Sequence, residues 1–105
     1  MLFVLCQTQS STFAVDADHI VEIIRMVQIT RLPSESGRLD GLINYRGEML
    51  PVMDSCRYLL LSPQPYGADS AMLVLRYANQ SFTLVLNEII NIFDIGTDAL
   101  TAYEA

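Results

Sequence analysis

Basic residues are scarce in this chain of 105 residues: six stand against twelve acidic ones, a formal charge of −6. That balance argues against nucleic acid, whose phosphates reward Lys and Arg, and against an anionic membrane surface. Histidine occurs once, at His19, so no histidine-based metal cluster can be assembled. Among "DADHI" it reads as an exposed turn residue. Cys6 and Cys56 have no second Cys or His at ligand spacing and read as two buried free thiols of a reducing compartment. No apolar run approaches the ~20 residues of a membrane helix. The opening "MLFVLCQTQ" has no basic n-region and turns polar after six residues. A cytoplasmic protein without membrane insertion is expected. Catalytic signatures are missing too. There is no Gly-x-Ser-x-Gly elbow and no Gly-rich phosphate cradle, and Asp16, Asp18, Glu22 and Glu48 lack the spacing of a Ca²⁺ loop. Neither an enzyme nor a cofactor is expected; a cryptic hydrolase would need a nucleophile–base pair that the sequence does not single out.

What the chain does have is apolar: 51% of residues are hydrophobic and only 17% charged, the balance of one folded domain. Short β-rich runs separated by turn residues predict a mainly β fold with short accessory helices, a small barrel or sandwich. "LFVLCQT" and "FAV" form a first hairpin around "SST". "HIVEIIRMV" is helix or strand by period, and its β-branched residues favour strand. "RLPSESG" is a loop, with Pro33 and Gly37 as punctuation. "GLINY" and "MLPVM" flank a turn at Arg46-Gly47-Glu48. Pro51 has no N–H to donate, so its strand should be an edge or carry a bulge there. Asp54 is a plausible N-cap for a short helix in "DSCRYLLL". "SPQPYGADS" connects to a second hairpin, "AMLVLRY" and "SFTLVL" around "ANQ". "NEIINIFDI" ends the patterned part.

The chain also repeats itself. "FAVDADHIVEIIRM" at 13–26 aligns without gaps on "FTLVLNEIINIFDI" at 82–95, a shift of 69 residues. Phe13 meets Phe82, Ile20 meets Ile89 and Ile23 meets Ile92. "FVL" at 3–5 matches "LVL" at 73–75, with one residue less in the second hairpin. Two β units follow, about 1–62 and 70–105. After Met26 the first copy runs 36 residues to Ser62, whereas ten follow Ile95, so the second copy is shorter by about 26. A half-built barrel leaves strand edges that recruit another chain, so a homo-oligomer or strand-swapped dimer is expected.

Arg46 precedes Gly47 on a tight turn, where its planar fork of donors is displayed for a carboxylate; from spacing alone the simpler reading is a solvated turn residue. Glu22 is a lone charge in an apolar strand and needs solvent or a partner. A Glu22–Arg46 pair would satisfy both.

"VEIIRMVQITRLP" at 21–33 and "LDGLINYRGEMLPVMD" at 39–54 resemble the CheW-like coupling proteins of bacterial chemotaxis. The family pattern is V-x-E-V/I, a loop ending in Pro, then G-V-x-N-L-R-G-x-x-x-P-V-x-D-L. Glu22, Gly41, Asn44, Arg46, Gly47, Pro51, Val52 and Asp54 fall in place. "SAMLVLRYANQSFTLVLNEIINIFDI" is similar to the start of the family's second half. The resemblance implies SH3-like β-barrels side by side, the second incomplete here. It implies a non-enzymatic adaptor between the cytoplasmic tip of a chemoreceptor and the regulatory domain of a CheA-type histidine kinase, with Arg46 and Glu22 bearing on receptor coupling. Asn44, Gly41 and Gly47 join them as expected partner-binding residues. The resemblance further implies an apolar groove between the barrels for the receptor helix, and Ile20, Phe82 and Leu86 are expected to line it. Tyr45 stands for the usual Leu, Ser55 for the Leu after the Asp, and Asn87 for a preferred Asp. The alternative on the same fold is a self-associating structural module or a non-signalling remnant.

Overall fold

The computed structural model describes residues 1–33 and 40–96. The loop expected around Gly37 and the chain after Gly96 lie outside the described residues. Nine strands follow one another: β1 (Leu2–Thr8), β2 (Ser11–Asp16), β3 (Ile20–Arg25), β4 (Thr30–Arg31), β5 (Gly41–Tyr45), β6 (Glu48–Asp54), β7 (Ala71–Tyr77), β8 (Gln80–Leu86) and β9 (Glu88–Asp94). A 3-10 turn at Ala17–His19 links β2 to β3, and the helix α1 (Ser55–Tyr58) follows β6. No helix among the described residues is long and apolar enough to cross a membrane.

The strands form a three-stranded sheet, β2-β1-β9, and a six-stranded sheet, β3-β7-β8-β6-β5-β4. All pairings are antiparallel except β6 with β8. Neither sheet closes through a ladder among the described residues; the mainly β, SH3-like architecture has one larger curled sheet and one part-built sheet. The first hairpin does not pair with the strand that follows it. β1 pairs with β9, and β7 pairs with β3. Each hairpin is thus built into the sheet of the other repeat.

The 69-residue shift holds strand by strand, including one place where the sequence suggests otherwise. Val4 pairs with Val15 and Leu73 with Leu84; Thr8 pairs with Ser11 and Tyr77 with Gln80. The expected one-residue gap is therefore absent: Phe3–Leu5 corresponds to Met72–Val74. A slip of one residue would turn every side chain to the opposite face, and burial enforces the correct register. Val4 and Leu73 share one core, as do Cys6 and Leu75. The turn of the first hairpin also moves, from "SST" to Gln9-Ser10. The repeat extends to a defect. The β3–β7 ladder skips Val21, and the β1–β9 ladder skips Ile90, its counterpart 69 residues on. Each is a β-bulge, one extra residue on one strand.

β7 accounts for the position of both cores. Met72 and Val74 enter one, with Ile43, Leu50, Val52 and Val85. Leu73 and Leu75 enter the other, with Val4, Cys6 and Leu86. A strand buried on both faces reads as a continuous apolar run, as "AMLVL" does. The second core lies between the sheets and is lined by repeat partners: Phe13 and Phe82, Val15 and Leu84, Ile20 and Ile89. Both cysteines are free and buried. Burial pushes the Cys6 thiol up to about 11, so it stays protonated at neutral pH.

A buried polar chain fixes α1. Asp54 caps the helix, its Oδ1 accepting from Cys56 N at 2.9 Å and from the Tyr66 hydroxyl at 2.6 Å. Ser55 Oγ lies 2.7 Å from Thr8 Oγ1 and 3.2 Å from the Tyr66 hydroxyl. Desolvation first, then the bond to Asp54, hold the Tyr66 phenol well above its ordinary range. Pro51 sits opposite Leu42 on β5, while the β6–β8 ladder begins at Val52. β6 is an inner strand between β8 and β5 with no bulge, so the expectation of an edge or bulge is corrected; the missing N–H faces the β8 side just before that ladder starts.

Gly41 is buried against β4. A Cβ there would lie 2.7 Å from Ile29 Cγ2 and closer still to the Thr30 carbonyl oxygen. Backbone cannot yield as a flexible side chain can, so Gly41→Ala is expected to cost roughly 1–3 kcal/mol. Urea denaturation followed by circular dichroism reads this as a lower midpoint at unchanged slope.

Candidate functional site

The β5–β6 turn is a two-residue loop between the paired residues Tyr45 and Glu48. Its central residues both have positive φ, +51° at Arg46 and +84° at Gly47. Such a turn matches the twist of the flanking strands. Asn44 locks it: its Oδ1 accepts from Gly47 N at 2.9 Å. Gly47 supplies a φ that side chains rarely tolerate, and Arg46 holds a left-handed conformation that is uncommon outside glycine. The guanidinium is thereby set at the tip of the hairpin.

Two distant strands meet there. Glu22 comes from β3 at one edge of the six-stranded sheet, one residue after the Val21 bulge. Its Oε1 accepts from Arg46 Nη2 at 2.9 Å and also from the Tyr45 hydroxyl. The Arg46 guanidinium carbon lies 5.1 Å from the centroid of the Tyr45 ring, within cation–π range. Side chains rather than a ladder thus bring β3 against β5. The pair remains open to solvent, with 73% of the Arg46 side chain and 37% of the Glu22 side chain exposed. Exposed ion pairs contribute about 0–1 kcal/mol, so this one adds little to stability and leaves its charges accessible. The bond that Tyr45 donates to Glu22, assisted by desolvation, raises the Tyr45 pKa, while Arg46 opposes the rise.

The other expected contact residues separate by depth. Asn44 and Gly47 are exposed beside Arg46. Gly41 is buried, and its work is the close approach of β4, so the expectation that it meets a partner is corrected. Leu86 is 0% exposed. It belongs to the second core because it alternates with Val85 on a strand covered on both faces, so it does not line a groove. Ile20 and Phe82 are half-buried against that same core. A wholly apolar cavity of about 170 Å³ does lie between β2, β8 and α1, lined by Phe13, Val15, Ser55, Tyr58, Leu59 and Leu84. None of the three expected groove residues borders it. His19 is half-buried, its ring set edge-on to Tyr77 at 5.1 Å, rather than an exposed turn residue.

Tyr45 and Asn87 matter more than the sequence suggests. Both stand out there only as departures from a pattern. Tyr45 supplies the second donor to Glu22. Asn87 Oδ1 accepts from Gln9 N at 2.7 Å, tying the β1–β2 turn to the end of β8.

The phenol must be protonated to donate to Glu22. Its contribution is present below the ordinary tyrosine pKa of about 10 and is lost as pH rises through the raised value. Titration of ¹³Cζ-tyrosine resonances should show Tyr45 ionising above that ordinary value. Glu22→Gln should bring it back toward normal. An unchanged Tyr45 titration in that variant would remove Glu22 as the cause.

The chain can now be set beside known proteins. Residues 2–105 match the family model described as "CheW-like domain". The chain is 26% identical over 77 residues to Protein PilI of Pseudomonas aeruginosa, an alignment covering 73% of this chain and 43% of that protein. Its fold is similar to the crystal structure of the scaffolding protein TtCheW from Thermoanaerobacter tengcongensis, with TM-score 0.81 and 20% identity, covering 92% of this chain and 66% of that one. The chain therefore spans less than half the length of PilI and about two thirds of the solved scaffold. With the family model matched along nearly its whole length, the chain belongs to the CheW-like domain family.

Proposed function

We propose that the chain is a cytoplasmic, non-enzymatic adaptor that couples chemoreceptors to a CheA-type histidine kinase in chemotaxis-like signal transduction. The observation that carries this is the hairpin tip itself. An arginine on a strained two-residue turn, held by Glu22 and Tyr45, is 73% exposed and contributes little to the fold. Asn44 and Gly47 shape the turn that presents it. Membership of the CheW-like family and the fold shared with a protein titled a scaffold support the same reading. No cofactor enters the mechanism. The receptor tip or the kinase regulatory domain docks by apolar burial beside a charge-assisted contact at Arg46. Each contact is weak, and an array multiplies it.

Arg46→Glu separates this role from a structural one. Immobilised chemoreceptor tip or kinase regulatory domain should retain the native chain and lose the variant, while the melting temperature stays nearly unchanged. Undiminished retention of the variant would count against Arg46 as a contact. A large fall in melting temperature would make it structural.

One observation favours a second reading, a self-associating module on the same fold. β3 exposes Val21 at 51% and Ile23 at 40%; β9 exposes their counterparts Ile90 at 42% and Ile92 at 52%. Among the described residues each stripe lies on a strand with a ladder on one side only. Two matched apolar stripes on one chain suit head-to-tail association, which closes into a ring or runs on as a filament. Under this reading, light scattering of the isolated chain shows a mass that rises with concentration, and Val21→Asp lowers it. A mass indifferent to both would leave the adaptor reading alone.

A further inference from the structure

Glu22 meets two donors with one oxygen. Its Oε1 accepts from Arg46 Nη2 at 2.9 Å and from the Tyr45 hydroxyl, and neither bond ends on Oε2. The contact with Arg46 is therefore single rather than forked. A guanidinium has two forked edges, Nη2 with Nη1 and Nη2 with Nε, and each edge uses a different Nη2 hydrogen. One bond from Nη2 engages one edge and leaves the other complete. Arg46 keeps a two-donor fork for a second carboxylate, at the exposed tip of the β5–β6 hairpin.

Tyr45 keeps that contact single. Its ring packs against the core of Ile43 and Leu50, so its hydroxyl is a fixed donor. Without it, the Glu22 carboxylate is free to turn and lay both oxygens along the guanidinium, the arrangement the two groups favour. The Tyr45 ring also faces the guanidinium carbon at 5.1 Å. A cation–π contact engages the face of the cation and leaves its N–H edges open. When Arg46 turns to another carboxylate, Glu22 still accepts from Tyr45, so no charge is stranded. The bond given up is that of an exposed ion pair, which contributes little. Glu48 lies opposite Tyr45 across the ladder and adds a second acidic group beside the tip. In a chain of formal charge −6, a singly charged carboxylate meets less repulsion there than a doubly charged phosphate.

We propose that Tyr45 is the positioning residue of this tip: it holds Glu22 so that Arg46 can take a carboxylate side chain of the docking partner on its open fork. Glu22 is an internal stand-in for that carboxylate, and the partner competes with it. The identity of the partner rests on the adaptor reading; the exchange at Arg46 does not.

Two readouts keep these apart. In the first, the chain alone is titrated with acetate at constant ionic strength, sodium chloride making up the balance, and the arginine Nε–Hε resonances are followed by NMR. Acetate should shift Arg46 more than the exposed Arg25 and Arg76, which serve as controls. In the second, affinity is measured for the immobilised receptor tip or kinase regulatory domain. Tyr45→Phe keeps the ring and removes the donor, and should weaken acetate and partner binding by about threefold to tenfold, the range of one hydrogen bond. Glu22→Gln removes the competing charge and should strengthen both. With the two changes combined, the effect of Tyr45→Phe should vanish, because no carboxylate is left to hold. A merely structural phenol would weaken binding in either background, so the same loss in the double variant overturns the proposal. Weaker partner binding in Glu22→Gln also overturns it, since Glu22 would then be the contact. So does an Arg46 response to acetate no larger than that of the controls. If acetate behaves as expected and neither partner retains the chain, the exchange site stands and the adaptor reading falls. A retained chain with no acetate response does the reverse.

Discussion

Everything in this fold depends on one strand being buried twice. β7 places Met72 and Val74 on one side and Leu73 and Leu75 on the other, and each set anchors a separate core. A strand with one polar face could have supported only one of them. Because β7 pairs with β3 in one ladder and β8 in the next, it fixes where the β3 edge can lie. That in turn decides whether Glu22 reaches the hairpin tip. The candidate site is therefore the far end of a packing decision made by aliphatic side chains.

Around that wall, polar groups do the fine placement. Asp54 collects the Cys56 amide and the Tyr66 phenol, so the otherwise polar connector is stitched to the start of α1. Ser55 continues the chain to Thr8 in the other sheet. Asn87 performs the same service for the first turn through Gln9. These bonds are buried or half-buried, and a buried polar group without a partner is costly. They hold the two sheets in one relative position more specifically than apolar contact alone. The family pattern thus divides by physical task. Gly41, Asn44, Gly47 and Asp54 satisfy backbone geometry, whereas Arg46 and Glu22 are left facing solvent.

Much of this was legible in the sequence because it is local. Alternation and β-branching mark the strands, Asp54 before "SCRY" marks a capped helix, and Arg46-Gly47 marks a tight turn. The shared shift of 69 residues exposes the repeat, and a lone Glu22 asks for the cation it receives. What escaped is what depends on distance. Nothing in "LFVLCQT" says that its partner is "EIINIFD" near the other end, so the exchange of hairpins was not legible. Leu86 and Leu84 look alike as strand residues, yet only the packing of both sheets shows which is sealed off. Tyr45 and Tyr66 donate to carboxylates 23 and 12 residues away, and no spacing rule connects them. The one-residue error in aligning the first strands has the same origin. Similar apolar triplets fit two registers, and only core membership chooses between them.

The exchange of hairpins has a further consequence for how the chain comes to be folded. β1 finds its second partner only when β9 exists, and Met1 bonds the backbone of Ile95. Pairings of such long sequence separation must pay the cost of closing a large loop before they gain anything, which slows folding. During synthesis the first hairpin would emerge early and wait, its apolar face uncovered, until β9 had been made. A fold built this way is vulnerable as a nascent chain in proportion to how much of its core rests on the late pairing of β1 with β9.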